Sequence, residues 1–172
     1  TMQTKYFKHG LVVGKFYPPH AGHLYLIETA QNTCQQVTVV VMAADIESLS
    51  LESRVSWLKE IFKHSYHLSI IGVIDNIPVD YYSRTIWDAH VALMRDAIRL
   101  AKTQYPQLPH APIDAVFTSE HYGDELATYF QAAHVCLDSK RALYPISGTA
   151  VRKNPAQNWM LLPQVVQAAL AI

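Results

Sequence analysis

The sequence is short of several things, and each shortage removes a class of protein. Its longest apolar stretch, Val37 to Ala44, falls far below the roughly 20 residues that a membrane-spanning helix needs. The N-terminus lacks the charged, apolar and small-residue order of a secretory signal, and Thr1 ahead of Met2 reads as a residue added for expression, so the expected location is cytoplasmic. Cysteine is scarce. Cys34 and Cys136 lack the spacing of a metal site and are expected as two reduced thiols in or near the core. Charge of either sign is not in excess, because 14 basic and 14 acidic side chains cancel. A nucleic-acid groove or an anionic membrane surface is therefore not expected, and any phosphate binding must be local. No internal repeat or low-complexity tract is present.

At 172 residues the chain suits one compact domain with a sizeable core. Its pattern alternates. Gly10 to Phe16 reads as a strand and Ala21 to Thr33 as a helix. Gln36 to Ala43 is a nearly continuous apolar strand, Leu51 to His64 a helix, and His67 to Ile74 a strand. Asp75 to Arg84 has no clear period and predicts a loop before a long amphipathic helix over Thr85 to Lys102, with Ile86, Leu93, Ala97 and Leu100 on its inner face. Pro106, Pro109 and Pro112 mark a connector. A fourth strand at Ile113 to Thr118, a helix at Asp124 to Ala133 and a short fifth strand at Val135 to Leu137 follow. The chain is expected to end in helix from Thr149, with breaks near Pro155 and Pro163. Strands alternating with helices predict the α/β class, a doubly wound, Rossmann-like parallel sheet of five strands with helices on both faces. Ligands in such sheets sit beyond the carboxyl ends of the strands where the order reverses, which points to the loops after strands one and four.

Two segments carry the chemistry expected there. Gly14-Lys15-Phe16-Tyr17-Pro18-Pro19-His20-Ala21-Gly22-His23 joins the first strand to the first helix. His20 and His23 can share one side of a helix N-terminus, where free backbone N–H groups and the dipole already favour an anion. Gly22 clears the approach, and Lys15 can reach the same space as a point charge. Ile146-Ser147-Gly148-Thr149-Ala150-Val151-Arg152 forms the second segment. Ser147 and Thr149 can cap a helix and donate hydroxyls, Gly148 allows close backbone approach, and Arg152 offers a fork for two phosphate oxygens. Each segment alone has a plainer reading, a chance pair of histidines or a simple helix cap.

Together the two segments resemble the H-x-G-H and I-S-G-T-x-x-R signatures of the nucleotidyltransferase superfamily. Over nearly its whole length the chain is similar to the nicotinamide-mononucleotide adenylyltransferase domain of NadR-type proteins, with LESRVSWLKEIF (51 to 62), Ile86-Trp87-Asp88 and Thr118-Ser119-Glu120 matching further segments. The resemblance implies a nucleotidyltransferase fold and transfer of the adenylyl group of ATP to nicotinamide mononucleotide, giving NAD and pyrophosphate. It implies that Lys15, His20, His23 and Arg152 hold the ATP phosphates. Gly14, Phe16, Tyr17, Gly22, Thr118, Ser119, Glu120, Arg141, Ser147, Gly148 and Thr149 would contact ATP or NAD. Trp87 would stack on the nicotinamide ring and Arg54 would support the nucleotide phosphates; their plainer readings are a core aromatic and an exposed helix arginine.

The match has gaps. One Trp occurs where several relatives carry two, residues 76 to 84 match poorly, no G-x-x-x-x-G-K-[ST] loop occurs in the sequence, and DNA-reading helices ahead of the domain are not expected. Mg²⁺ is implied, carried mainly by the triphosphate because no carboxylate cluster is placed to hold it, with Asp45 a candidate outer partner. The two imidazoles are expected to act partly as donors, so their protonation matters. The same signatures serve transfer to pantetheine phosphate or riboflavin phosphate and cytidylyl transfer, and a non-catalytic NAD-sensing module is a reading from another class. A class I aminoacyl-tRNA synthetase fragment is disfavoured, since no lysine-rich second signature is present. The other histidines, His9, His64, His67, His90, His110, His121 and His134, are expected on the surface or in packing roles. Partners are small nucleotides, with no nucleic acid and no membrane, and a homo-oligomer is left open.

Overall fold

The computed structural model describes residues 5–171; Thr1 and Met2 lie outside them. Five parallel strands, β1 (Phe7–Gly14), β2 (Cys34–Ala43), β3 (Leu68–Ile74), β4 (Ala115–Thr118) and β5 (Ala133–Cys136), lie in the order β3-β2-β1-β4-β5. The chain therefore winds outward from β1 in one direction and then in the other, and the reversal falls between β1 and β4. The doubly wound sheet expected from the alternating pattern is present.

Helices α1 (Ala21–Thr33) and α2 (Leu51–Ile61) cover one face, where Ile27, Ala30 and Leu58 pack on Val12, Val39, Val41 and Phe117. On the other face, α3 (Arg84–Gln104) and α4 (Gly123–Tyr129) bring Val91, Met94 and Leu126 onto Leu11, Val40, Ile71 and Val116. Burial on both sides is why β2 is apolar almost without interruption. Side-chain oxygens cap α2 and α3, Ser50 accepting from Ser53 N and Ser83 from Ile86 N. The C-terminal stretch comprises α5 (Gly148–Lys153), a 3-10 turn (Trp159–Leu161) and α6 (Gln164–Leu170), with the expected breaks at Pro155 and Pro163. Its small core of Ile146, Val151, Leu162 and Val166 leans on Trp57 of α2.

Four local expectations are corrected. β1 stops at Gly14, since Phe16 takes a left-handed φ of 48° that no strand can hold. The buried stripe of α3 is Trp87, Val91, Met94, Ala97 and Ala101, while Leu100 is 44% exposed, because the stripe runs about a residue out of step with the predicted face. α4 ends at Tyr129, where Gln131 turns left-handed at φ 52° and releases the chain into β5. Cys34 is buried, and burial pushes its thiol up to about 11, but Cys136 is exposed at the end of the edge strand β5. Among the described residues no helix is long and apolar enough to cross a membrane.

The corrected face of α3 is testable by urea denaturation. Met94→Ala should cost about 2–5 kcal/mol, as for a buried truncation that leaves a cavity. Leu100→Ala should change stability by no more than roughly 0.5 kcal/mol. Equal costs for the two would restore the original face.

Candidate active site

A cavity of about 420 Å³ opens at the carboxyl ends of the strands. Its wall is drawn from every strand end: Gly14 and Lys15 at the end of β1, Met42 in β2, Asp75 after β3, Thr118 to Glu120 at β4, and Leu137 and Asp138 after β5. This is the switch-point location expected of the fold.

The first segment builds one lip. His20 is the N-cap of α1, and its Nδ1 accepts from Gly22 N at 3.1 Å, while His23 Nδ1 accepts from His20 N at 3.1 Å. This is a reciprocal capping box made from two imidazoles, whose rings stack 3.7 Å apart. The geometry settles their chemistry. Each Nδ1 must keep its lone pair for a backbone donor, so each neutral ring carries its proton on Nε2. Burial, reinforced by the nearby Arg141 charge, pushes His20 down to about 4 and lowers His23 as well. The donor role expected of the two rings thereby takes a definite form: in this arrangement they are neutral and carry N–H at Nε2, on residues that line the cavity. Phe16, its ring buried, lies 4.7 Å from the His23 ring and closes the space behind it.

The second segment builds the other lip and meets the first at Tyr17. Arg152 Nη1 donates to Tyr17 O at 2.6 Å, and its guanidinium lies 3.9 Å from the centre of the Tyr17 ring. Gly148 allows this approach, because a Cβ there would sit 2.7 Å from the same carbonyl oxygen. Ser147 Oγ accepts from Ala150 N and caps α5, and Thr149 Oγ1 accepts from Arg152. His20, His23, Lys15 and Arg152, distant in sequence, thus border one cavity.

Behind this junction lies a buried ion pair. Arg54 is fully buried, with Nη1 2.9 Å from Glu47 Oε1, its other nitrogen donors on Leu49 O, and its guanidinium 4.2 Å from the Tyr17 ring centre. Arg54 is therefore neither an exposed arginine nor a cavity group. It supports the wall from behind and is not among the residues that line the cavity. Glu47 also takes Lys15 Nζ at 2.5 Å and Ala44 N at 3.0 Å. A buried guanidinium must be paired, and Glu47 is the partner that the sequence did not reveal. Asp45 is tied to Asn76 at 2.8 Å instead of facing the cavity.

The charge run at 138 to 141 is a folded loop. The Asp138 carboxylate accepts from Ala142 N, Leu143 N and Tyr144 N, bonds that hold its pKa down, and Arg141 Nη1 donates to Ile146 O. Phe16, Asp138 and Arg141 all have left-handed φ and all border the cavity, so backbone strain gathers there. Thr118 is buried, its hydroxyl bonded to Glu120 O at 2.8 Å and His134 Nε2 at 2.6 Å, and Ser119 and Glu120 face the cavity beside it.

The far end is aromatic. Trp87 borders the cavity while packing in the α3 core, its Nε1 donating to Tyr81 O at 3.0 Å and its ring stacked on Tyr129. Tyr81, Tyr122 and His90 complete this end. His90 was expected in a surface or packing role; it belongs to the cavity, one turn after Trp87 on the same helix. Helical spacing from Trp87 was the signal that could have found it. Among the described residues no group of three or more His, Cys, Asp or Glu could hold a metal ion.

The family model described as cytidylyltransferase-like matches residues 11–154. The trifunctional NAD biosynthesis/regulator proteins NadR of Escherichia coli and Salmonella typhimurium are 27% and 26% identical over 92% of the chain, which spans 39% of their length. A nicotinamide-nucleotide adenylyltransferase of Aeropyrum pernix is 50% identical over 46 residues, covering 27% of this chain and 26% of that protein. Two NadR crystal structures share the fold. One, in complex with NAD and AMP-PNP, has a TM-score of 0.68 and 22% identity over 94% of this chain and 47% of its own; the other, in complex with NR, has 0.70 and 20% over 95% and 46%.

The histidine pair predicts an acid dependence of stability. His20 titrates near 4 when folded and near 6.5 as a free imidazole, so between those values the unfolded chain binds the proton and the folded chain does not. Stability should fall as pH drops through that window, with His20 contributing on the order of 3 kcal/mol. His20→Asn, which keeps a capping side chain, should flatten the dependence in denaturation titrations at pH 4 to 7. A slope identical to the unsubstituted chain would show that His20 does not titrate this way.

Proposed function

The chain belongs to the cytidylyltransferase-like family, and on that premise we propose that it transfers the adenylyl group of ATP to nicotinamide mononucleotide, giving NAD and pyrophosphate. The observation that carries this reading is the meeting of the two lips. His20 and His23 from one end of the chain, and Arg152 from the other, border a single cavity through the Tyr17 contact. The opposite end of that cavity holds Trp87, which gives a pyridine ring an aromatic wall. Residues 5–171 act in this reading as one catalytic domain, located in the cytoplasm.

The 5′-phosphate oxygen of the mononucleotide is already anionic, so no strong base is required. That oxygen bonds to the α-phosphorus of ATP while the bond from the α-phosphorus to the bridging oxygen breaks, and pyrophosphate leaves with the electron pair. The protein's work is alignment and neutralisation of the charge that grows on the leaving group. His20 and His23 donate from neutral Nε2–H groups, which cost no reorganisation. Arg152 supplies a fixed charge, since Tyr17 O and the Tyr17 ring already orient its fork. Lys15 exchanges Glu47 for phosphate: its side chain is 53% exposed and free to swing, whereas Glu47 is held by Arg54 and Ala44 N. Arg141, beside Glu120, adds a further cation to the adenosine side. ATP enters as its magnesium complex. The absence of a carboxylate cluster among the described residues fits an ion carried mainly by the triphosphate.

Pyrophosphate release with ATP should be measured across nicotinamide mononucleotide, pantetheine phosphate and riboflavin phosphate, and should be fastest with the first. Tight NAD binding without release would make the domain a sensor. His20→Ala should lower kcat by about 100-fold or more, as for loss of a fixed donor, with little effect on the mononucleotide KM; unchanged kcat refutes its role. Trp87→Ala should raise the mononucleotide KM about three- to tenfold and spare that of ATP. Equal rises in both would leave the tryptophan as packing alone.

A further inference from the structure

Residues 75 to 83 wall the acceptor end of the cavity without helix or strand of their own. Two side chains of α3 hold this wall by its carbonyl oxygens. Trp87 Nε1 donates to Tyr81 O at 3.0 Å, and His90 Nε2 lies 3.2 Å from Pro78 O. The spacing matches on both partners: positions 87 and 90 on the helix meet 81 and 78 on the wall.

The other nitrogen of His90, Nδ1, is bonded to Asp75 Oδ2. Asp75 cannot turn away. Its N–H donates to Ala43 O at 2.8 Å, its Oδ1 accepts from Ile77 N at 2.9 Å, and its side chain is 8% exposed. Both ring nitrogens of His90 therefore face oxygens that can only accept. A neutral imidazole has one N–H and can satisfy one of them; the imidazolium satisfies both.

We propose that His90, its ring held between Asp75 Oδ2 and Pro78 O, is a positioning residue that fastens the acceptor wall, and that loss of the ring or of its carboxylate partner releases the wall. Ile77, Val79 and Tyr81 then lose one of their two ties to α3, and the acceptor end widens while the phosphate end does not. The other titratable or charged groups near this end do not bond to the ring. Asp80 and Tyr81 lie on the wall itself, and Glu120 and Tyr122 come from the connection into α4. On α3, Arg84 and Asp88 are both engaged by the Tyr129 hydroxyl.

The inference rests on the acceptor reading for its kinetic consequence but not for its physical one, and the test separates them. Hydrogen exchange of amides 76 to 83, corrected for intrinsic rates, is measured on the unliganded protein. His90→Ala and Asp75→Asn should exchange about tenfold faster than wild type in this segment, as for a local opening. Leu100→Ala, on the outer face of the same helix, serves as the control. In the enzyme assay, the mononucleotide KM should rise in both variants more than the ATP KM. Exchange that is unchanged by both substitutions overturns the proposal, as does an equal rise in the two KM values. Altered exchange in a protein that turns over no acceptor would uphold the tether and sink the transferase reading.

Discussion

The contact between Arg152 and Tyr17 is the constraint on which the site depends. One residue, Tyr17, is held at three points. Its carbonyl takes the Arg152 fork, its ring lies under the guanidiniums of Arg152 and Arg54, and its hydroxyl meets Ser48 on the loop after β2. Strand β1, helix α2 and helix α5 are thereby fixed to one another at the rim of the sheet. Without that junction the starts of α1 and α5 would be separate features of the surface.

The cations around the junction differ in purpose according to how they are buried. Arg54 is enclosed, and Glu47 neutralises it, so its contribution is to stiffness. Lys15 and Arg152 stand at the mouth, where an incoming anion can recruit them. The histidines are a third kind of donor. Their capping geometry removes Nδ1 from play and keeps the rings neutral, which leaves fixed dipoles where a fully charged group would have been costly to bury.

Much of this was legible in the sequence because strong local signals coincide there. Alternating apolar runs and caps gave the strand order's class, and the two signature segments placed His20, His23, Lys15 and Arg152. The failures have physical causes. Arg54 was read as a support of the nucleotide phosphates or as an exposed helix arginine, because its burial depends on Glu47 and on Leu49 O, contacts made by a loop without pattern. His90 and Asp75 are brought together by the path of residues 75 to 83, and no period in the sequence describes that path. The inner face of α3 was read about one residue off, since Leu93 and Leu100 are apolar enough to imitate a stripe that Val91, Met94 and Ala101 form. Edge strand β5 was placed late because its left-handed entry at Gln131 leaves no glycine to mark it.

The lateness of α5 in the chain has a consequence for biosynthesis. All five strands precede Gly148, and the small core that seats α5 comes from residues that follow Tyr144 together with Trp57. A ribosome therefore releases the complete sheet before it releases the guanidinium that closes the rim. The nascent scaffold can settle its two faces first, and the cavity gains its second lip only with the final helices.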